Sequence, residues 1–149
     1  MTLKNLVGRT LEKHDCTQDE IGRLLAAARR NLADAGIKEI STETRFDVAY
    51  KAVMQNALAA LMASGYRPLT SVPGHHATVI QSLLETIGLQ NDARILLDKL
   101  RRMRNASDYA GAGISEEEAR ACLRAARSLL NDVEEWLKKN HPVLIASGG

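Results

Sequence analysis

The sequence contains few aromatic residues: one Trp, three Tyr and one Phe amount to 3% of its 149 residues, although hydrophobic residues reach 45%. A β-sheet is usually enriched in aromatic and β-branched side chains, so an apolar content carried mainly by Ala and Leu favours packed helices. A chain of this length folds most simply as one domain that buries roughly 70% of its unfolded surface. The composition therefore predicts a single all-α domain.

Cysteines and long apolar runs are also scarce. Only Cys16 and Cys122 are present, and two thiols so far apart in the chain predict reduced side chains rather than a disulfide framework. No apolar run approaches the ~18 residues that span a bilayer, and the start MTLKNLVGRT lacks the apolar core of a signal peptide. We therefore expect a cytoplasmic protein with no membrane partner. The net charge of +2 is too small to indicate nucleic acid unless the cations cluster locally.

Hydrophobic periodicity predicts five helices. Two of them begin with the capping-box pattern, Thr17-x-x-Glu20 and Ser115-x-x-Glu118, and Asn91 is an acceptable N-cap for the fourth. We place the helices near residues 18–35, 41–64, 75–87, 91–110 and 115–141. The domain organisation we expect is an N-terminal arm over 1–16, a helical domain over 17–141 and a C-terminal tail over 142–149.

The second predicted helix has two apolar faces. One face includes Phe46 and Tyr50, and the other is formed by Met54, Leu58 and Met62. A helix that is apolar on two sides is packed on two sides, so we expect this helix at the centre of the bundle. The following segment 65–74, GYRPLTSVPG, contains two prolines and two glycines and is predicted to be a loop.

The polar chemistry is concentrated in LLDKLRRMRNASDYAG, residues 96–111. Its apolar positions are Leu96, Leu100, Met103, Ser107 and Ala110, and a neighbouring stripe runs through Leu97, Leu100, Arg104 and Asp108. Four cations occur within six residues and are the candidate nucleic-acid contacts: Lys99, Arg101, Arg102 and Arg104. We call these four residues the basic cluster. Asn105 and Tyr109 follow it.

Two interpretations of the basic cluster remain open. It can form a nucleic-acid surface, or it can be a salt-bridged helix end with no ligand. Cations near a helix C-terminus are stabilised by the dipole by ~0.3–1 kcal/mol each. The short connection 111–114 would let the fifth helix run back antiparallel and place the acids of residues 116–118 beside the cations.

The sequence predicts no metal site and no cofactor. His75 and His76 are adjacent, so on a helix their side chains point about 100° apart, and no carboxylate or cysteine at helical spacing completes a ligand set. No nucleophile elbow, phosphate-binding glycine loop or acidic pair of catalytic spacing is present. The role of the two histidines stays open.

Three segments together resemble the HEPN superfamily of prokaryotic helical domains: AYKAVMQNALAALMASGYRP, GHHATVIQSL and RRMRNASDYAG. The similarity covers roughly residues 20–139. It implies an up-and-down helical bundle that forms a homodimer. In nuclease members, an Arg-Asn pair with a histidine four to six positions after the arginine lies at a cleft between subunits and cleaves RNA without metal. Many members are toxins paired with a nucleotidyltransferase antitoxin or belong to antiviral defence loci, and others are inactive binding or scaffold modules.

The family motif is only partly present. Arg104 and Asn105 match its arginine and polar residue, whereas Tyr109 stands nearest to the place of the missing histidine. A histidine with a pKa near 6.5 can accept a proton from a 2′-hydroxyl at neutral pH, and a tyrosine near 10 is a poor base. Tyr109 lies about 140° around the helix from Arg104, so a two-fold partner would be needed to bring the two side chains together.

The resemblance therefore implies a HEPN-like homodimer that binds RNA or a nucleotide, in a toxin–antitoxin or defence setting. If the protein is an enzyme, Arg104, Asn105 and Tyr109 are its candidate catalytic residues. Two alternatives are kept. One is a metal-independent RNase toxin that acts through Tyr109 or a remote histidine, and the other is a non-catalytic protein-interaction scaffold.

Overall fold

The computed structural model describes residues 2–145, so residue 1 of the predicted arm and residues 146–149 of the predicted tail lie outside the described part. It contains five α-helices: α1 Gln18–Ala35, α2 Thr42–Ala63, α3 His75–Thr86, α4 Asn91–Ala110 and α5 Glu116–Asn140. Two short strands, β1 Leu11–Lys13 and β2 Tyr66–Pro68, and the 3-10 turns Leu3–Leu6 and Pro142–Leu144 complete it. The prediction of an all-α bundle of about five helices is confirmed.

Local capping sets the helix starts. At both predicted capping boxes the N-cap hydroxyl accepts the N–H of the glutamate, at 3.2 Å for Thr17–Glu20 and 3.0 Å for Ser115–Glu118. The glutamate accepts the N-cap N–H in return, at 2.9 Å in each case. The cap of α4 differs from the prediction, because Gln90 is the N-cap and Asn91 is the first helical residue.

α2 is the central helix of the bundle, as predicted. It packs against α1, α3, α4 and α5, and five fully buried alanines on it let neighbouring backbones approach closely: Ala49, Ala52, Ala57, Ala59 and Ala60. On its second face Met62 is 8% exposed, and Met54 and Leu58 are partly buried against the core.

A small sheet that the sequence analysis missed joins the N-terminal residues to the 65–74 segment. β1 pairs antiparallel with β2, with Leu11 opposite Pro68. Leu11 is fully buried, and Glu12 and Arg67 form an ion pair across the two strands. Strands of three residues are too short for an alternating pattern to show in the sequence. The pairing holds Pro68 beside α2, where the candidate site lies.

A buried arginine ties three helix ends together. Arg45 is 6% exposed. Its Nε donates to the Ala35 carbonyl at the end of α1 at 3.2 Å, and its Nη1 donates to both carboxylate oxygens of Glu116 at 2.8 and 3.1 Å. This contact fixes the starts of α2 and α5 against the end of α1.

Candidate functional site

The cations of the basic cluster pair mainly with acids on α4 itself. Arg101 and Arg102 contact the Asp98 carboxylate at 2.9 and 3.1 Å. Nε of Arg104 lies 2.8 Å from Asp108 and 3.5 Å from Asp47 of α2. Two of the three predicted partners on α5 are engaged elsewhere: Glu116 pairs with Arg45 and Arg120, and Glu117 pairs with Arg124. The third, Glu118, accepts the Ser115 N–H, which lowers the Glu118 pKa most, and the charge of Lys99 lowers that pKa further.

The packed side of α4 is the stripe that contains Arg104. Leu97 and Leu100 are 3% and 2% exposed, whereas Leu96 is 43% exposed. The predicted stripe that runs from Leu96 to Ala110 is only partly buried, since Ala110 at its end is exposed as well. Arg104 consequently extends from the buried edge of α4 towards α2 and α3.

Arg104, Tyr50 and His76 come together although they belong to three different helices. The guanidinium carbon of Arg104 lies 5.9 Å from the centroid of the Tyr50 ring. The Tyr50 hydroxyl lies 3.3 Å from Nδ1 of His76, and His75 packs edge-on against His76 with ring centroids 4.9 Å apart. Tyr50 is only 2% exposed, so it forms the buried wall between the arginine and the imidazole.

These residues line a cleft of about 430 Å³, which we call the Arg104 cleft. Its polar lining consists of Asp47, Tyr50, Lys51, His75, His76 and Arg104. Its apolar lining includes Met54, Leu58, Pro68 and Val79, with Gln55 and Thr70 beside them. A cleft of this size with a few converging polar groups is typical of a small-molecule or substrate site.

Burial and neighbouring cations hold His76 in its neutral form. Burial lowers the pKa of His76 below its ordinary 6.5, and His75, Arg104 and Arg101 lower it further. The same burial raises the pKa of Tyr50, an effect that Arg104 only partly offsets, so the phenol keeps its proton. At neutral pH the cleft therefore presents an uncharged imidazole next to a cationic guanidinium. Such an imidazole is able to accept a proton or a hydrogen bond.

The Arg104 guanidinium is incompletely satisfied by its neighbours. Its Nε is buried, and its N–H does not point at the Asp108 oxygen 2.8 Å away, so the contact is an ion pair without a hydrogen bond. Within residues 2–145 this Nε–H therefore has no acceptor, and the guanidinium is not saturated by its neighbours.

The other two motif residues do not reach the cleft within one chain. Tyr109 is 82% exposed on the outer side of α4, and neither it nor Asn105 lines the cleft. Among the basic cluster, only Arg104 lines it, while Arg101 is close enough to act on His76 electrostatically. Sequence reasoning found Arg104 but did not place Asp47, Tyr50, Lys51 or the two histidines beside it.

A larger depression lies on another side of the molecule and has fewer side chains suited to catalysis or ligand binding. It measures about 890 Å³ between α1 and the C-terminal end of α5. Its ion pairs, Asp19–Arg23 and Arg29–Glu134, are exposed surface contacts. Among residues 2–145, no aromatic or histidine side chain lines it. Volume alone therefore does not make it the better candidate.

Two further features bear on the kind of site. Over residues 2–145, no group of three or more His, Cys, Asp or Glu side chains is arranged to hold a metal ion. No helix in the same part of the chain is long and apolar enough to cross a membrane.

Comparison with known proteins places the cleft inside a matched domain. A family model described as the HEPN domain matches residues 21–136, which include all the residues that line the Arg104 cleft. No curated protein matches the chain.

Proposed function

This chain belongs to the HEPN domain family, and from that membership and the Arg104 cleft we propose that it binds the phosphate of RNA or of a nucleotide. The observation that carries the proposal is the position of Arg104. Its guanidinium lines an open cleft beside a neutral imidazole, and its Nε–H has no acceptor among residues 2–145. A forked guanidinium with free donors is well suited to phosphate oxygens.

The electrostatics of the cleft favour a modest affinity for anions. Lys51 and Arg104 bring positive charge to the lining, and Asp47 brings the one carboxylate. Asp108 also contacts Arg104 from outside the lining. A phosphate would compete with these carboxylates for the guanidinium. Added salt should also weaken binding, with a slope that corresponds to few phosphate contacts.

Salt-dependent RNA binding by the purified protein tests the proposal. We expect Arg104→Ala to weaken binding of a fluorescent oligoribonucleotide roughly tenfold to a hundredfold at low salt, because one charge-assisted hydrogen-bonding group is lost. Arg23→Ala is the matched control, since Arg23 is exposed on α1 and pairs with Asp19 far from the cleft. Unchanged binding by Arg104→Ala would favour the non-catalytic scaffold instead.

His76 favours a second candidate function, metal-independent RNA cleavage. In this reaction Nε2 of His76 takes the proton of a 2′-hydroxyl while Nδ1–H donates to the Tyr50 oxygen. The 2′-oxygen then attacks the adjacent phosphorus, the bond from phosphorus to the 5′-oxygen breaks, and that oxygen takes a proton from water. Arg104 stabilises the negative charge that develops on the phosphate oxygens. The products are a 2′,3′-cyclic phosphate and a 5′-hydroxyl end.

Cleavage in the presence of EDTA separates this candidate from binding alone. His76→Ala should abolish cleavage and leave RNA binding within a few-fold of the wild type, because Arg104 is retained. His141→Ala is the control, since that imidazole packs against Trp136 outside the lining of the cleft. If the wild-type protein binds RNA but leaves it intact, the function is restricted to binding.

We propose a homodimer as the functional form. Apolar side chains on α4 support it, since Ile95, Leu96 and Tyr109 are 51%, 43% and 82% exposed in a single chain. A two-fold partner would also allow Tyr109 of one subunit to approach Arg104 of the other. Light scattering should give twice the 16.3 kDa of one chain. A single-chain mass at micromolar concentrations would contradict the proposal.

A toxin–antitoxin or defence role is the biological setting we propose, with a nucleotidyltransferase antitoxin as the partner. The family membership supports it. Co-expression with the product of the neighbouring gene tests it: a nucleotidyltransferase that co-purifies and relieves growth inhibition would agree with the proposal. Expression without any effect on growth would contradict it.

A further inference from the structure

We propose that the depression between α1 and the C-terminal end of α5 is a docking site for an acidic amphipathic helix of another protein. We call it the α1–α5 groove. Its volume is about 890 Å³. The inference is independent of the proposed function, because the groove shares no lining residue with the Arg104 cleft.

The α1–α5 groove is long and open. Its α1 wall extends from Gln18 to Arg30, which is about 18 Å at a rise of about 1.5 Å per residue. The opposite wall comes from the last turns of α5 and from Leu144 and Ile145 after them. A helical segment of about 12 residues matches this length, whereas a small ligand would occupy only part of it.

The floor of the groove is apolar. Leu25 and Leu137 line it from below and are 5% and 0% exposed. Leu144 and Ile145 at one end pack against the core but are only partly buried. An amphipathic helix binds such a surface by placing one apolar stripe in it.

Gly22 keeps the α1 wall of the groove low. It lies inside α1 and is exposed, and a Cβ added to it would meet no atom of another element within 4 Å. No neighbour among residues 2–145 therefore requires the absence of a side chain there, although glycine lowers helix stability relative to alanine. Together with Ala26 one turn later, Gly22 allows the backbone of a partner to approach α1 closely.

The rim carries more positive charge than its own acids neutralise. Four cations and two acids line the groove: Arg23, Arg29, Arg30, Lys138, Asp19 and Glu134. Both acids are already paired, with Arg23 and Arg29. Arg30 makes no ion pair or hydrogen bond among residues 2–145, and Lys138 only approaches Glu135, at 3.8 Å. Acids beside the apolar stripe of a partner helix would complement these two exposed cations.

The same charges argue against other occupants. A second copy that docked through the same groove would bring its own excess of cations against this one. Residues 146–149, ASGG, contain no acidic side chain. RNA would pair with the cations but would leave the apolar floor uncovered, and among residues 2–145 no aromatic side chain lines the groove for base stacking. A protein segment that is both apolar and acidic complements the floor and the rim together.

Fluorescence anisotropy with designed peptides tests the inference. The probe is a labelled peptide of about 14 residues with leucine at positions i, i+4 and i+7 and glutamate on both sides of this stripe. We expect the wild-type protein at low salt to bind it about tenfold more tightly than the same peptide with lysine in place of glutamate. Added salt should weaken the binding of the glutamate peptide.

Two variants test the groove itself. Gly22→Leu raises the α1 wall and should weaken peptide binding about tenfold, without a lower melting temperature because leucine is the better helix former. Gly113→Leu is its matched control, since Gly113 is exposed outside the groove and also has open space around it. Arg30→Glu should weaken peptide binding by a similar factor, whereas Lys38→Glu reverses an exposed charge outside the groove and should not.

Several results would overturn the docking site. They are a glutamate peptide that does not bind or binds no better than the lysine peptide, and unchanged binding of the glutamate peptide by both groove variants. If Gly22→Leu is unfolded by circular dichroism, Arg30→Glu decides. A lower oligomeric mass in Gly22→Leu would identify the groove as a contact between copies, and weaker oligoribonucleotide binding by Arg30→Glu would identify it as an RNA surface. Either result would also overturn the inference.

Discussion

Arg104 shares its single positive charge among several neighbours. Its Nε lies 2.8 Å from an Asp108 oxygen and 3.5 Å from an Asp47 oxygen, and its guanidinium faces the Tyr50 ring. Each carboxylate reduces the positive potential that an incoming phosphate meets. The anion affinity of the cleft therefore depends on the acids as well as on the arginine.

Asp47→Asn should strengthen RNA binding, about twofold to tenfold at low salt, because it removes the one negative charge in the lining of the cleft. Fluorescence anisotropy of the same labelled oligoribonucleotide measures the effect. Asp92→Asn is the control, since Asp92 is exposed at the start of α4. Weaker binding by Asp47→Asn would contradict the expectation and make Asp47 a positioning residue for Arg104.

The lowered pKa of His76 predicts a pH dependence of stability. Burial is the main cause, followed by His75, Arg104 and Arg101, so the unfolded chain binds a proton at pH values where the folded chain does not. Above the unfolded-state pKa of about 6.5 this titration costs no stability. The free energy of unfolding decreases as the pH falls from there to the folded-state pKa, and below the folded-state pKa the loss is constant. Burial raises the pKa of Tyr50, so its phenol keeps its proton throughout this range.

Thermal unfolding at about pH 7.5 and about pH 5.5 checks this expectation. On acidification the melting temperature of the wild type should fall further than that of His76→Gln, because glutamine does not take up a proton at this position. His141→Gln is the control, since His141 packs against Trp136 outside the lining of the cleft, and it should lose as much as the wild type. Equal losses in the wild type and His76→Gln would show that another group is responsible.

At the scale of the helices, the buried Arg45 determines how three ends meet. Its contacts with the Ala35 carbonyl and the Glu116 carboxylate cross from α2 to α1 and to α5. The hydrogen bond from Arg45 is the main reason why the pKa of Glu116 lies below its ordinary value. A carboxyl group whose pKa is lower in the folded state stabilises the fold at pH values above its unfolded-state pKa, which is near 4.5 for Glu116. This stabilisation is lost as the pH falls through the folded-state pKa.

Arg45→Met should lower the free energy of unfolding by about 2 kcal/mol at neutral pH, because the Ala35 carbonyl and Glu116 lose a buried donor. Urea denaturation at neutral pH and at an acidic pH measures the change, and the difference from wild type should shrink once the pH falls below the lowered pKa of Glu116. Arg120→Ala removes the more exposed partner of Glu116 and should cost less than ~1 kcal/mol. If the free energies of unfolding of Arg45→Met and wild type differ by the same amount at neutral and acidic pH, the ion pair is not the source of the difference.

The helices could be predicted closely because their signals are local. The capping boxes at Thr17 and Ser115 are read within four residues, and the two faces of α2 repeat over six turns. α4 was harder, because Leu96 and Leu97 are adjacent and both apolar, and periodicity alone does not decide which of them faces α2. The helix begins one residue earlier than the N-cap prediction at Asn91 implies, because Gln90 is the N-cap. As the first helical residue, Asn91 accepts with its Oδ1 from the Arg94 guanidinium at 3.0 Å.

At the scale of the whole molecule, the candidate site depends on contacts between distant parts of the chain. Arg104 could be singled out from the sequence because the basic cluster is a local feature. Tyr50 looked like an ordinary core residue, and nothing within the sequence of α3 indicates that His76 faces α4. The convergence of these three side chains requires the packing of α3 and α4 on α2, which no local pattern specifies.

Leu11 connects the N-terminal residues to the core and indirectly to the cleft. Leu11→Ala should lower the free energy of unfolding by about 2–4 kcal/mol, because the side chain is fully buried. Urea denaturation measures the effect, and Val143→Ala, at a residue 79% exposed, is the control. An unchanged unfolding midpoint would contradict the assigned burial.

The small size of the sheet formed by β1 and β2 has a consequence for amide hydrogen exchange. β1 and β2 are held by one short ladder over Leu11–Lys13 and Tyr66–Pro68, whereas α2 is enclosed by four helices. The ladder is therefore able to open by local fluctuation while the helices stay folded, and its amides should exchange orders of magnitude faster than those in the middle of α2. One side of the Arg104 cleft then belongs to a unit of lower local stability than the helices that carry Arg104, Tyr50 and His76.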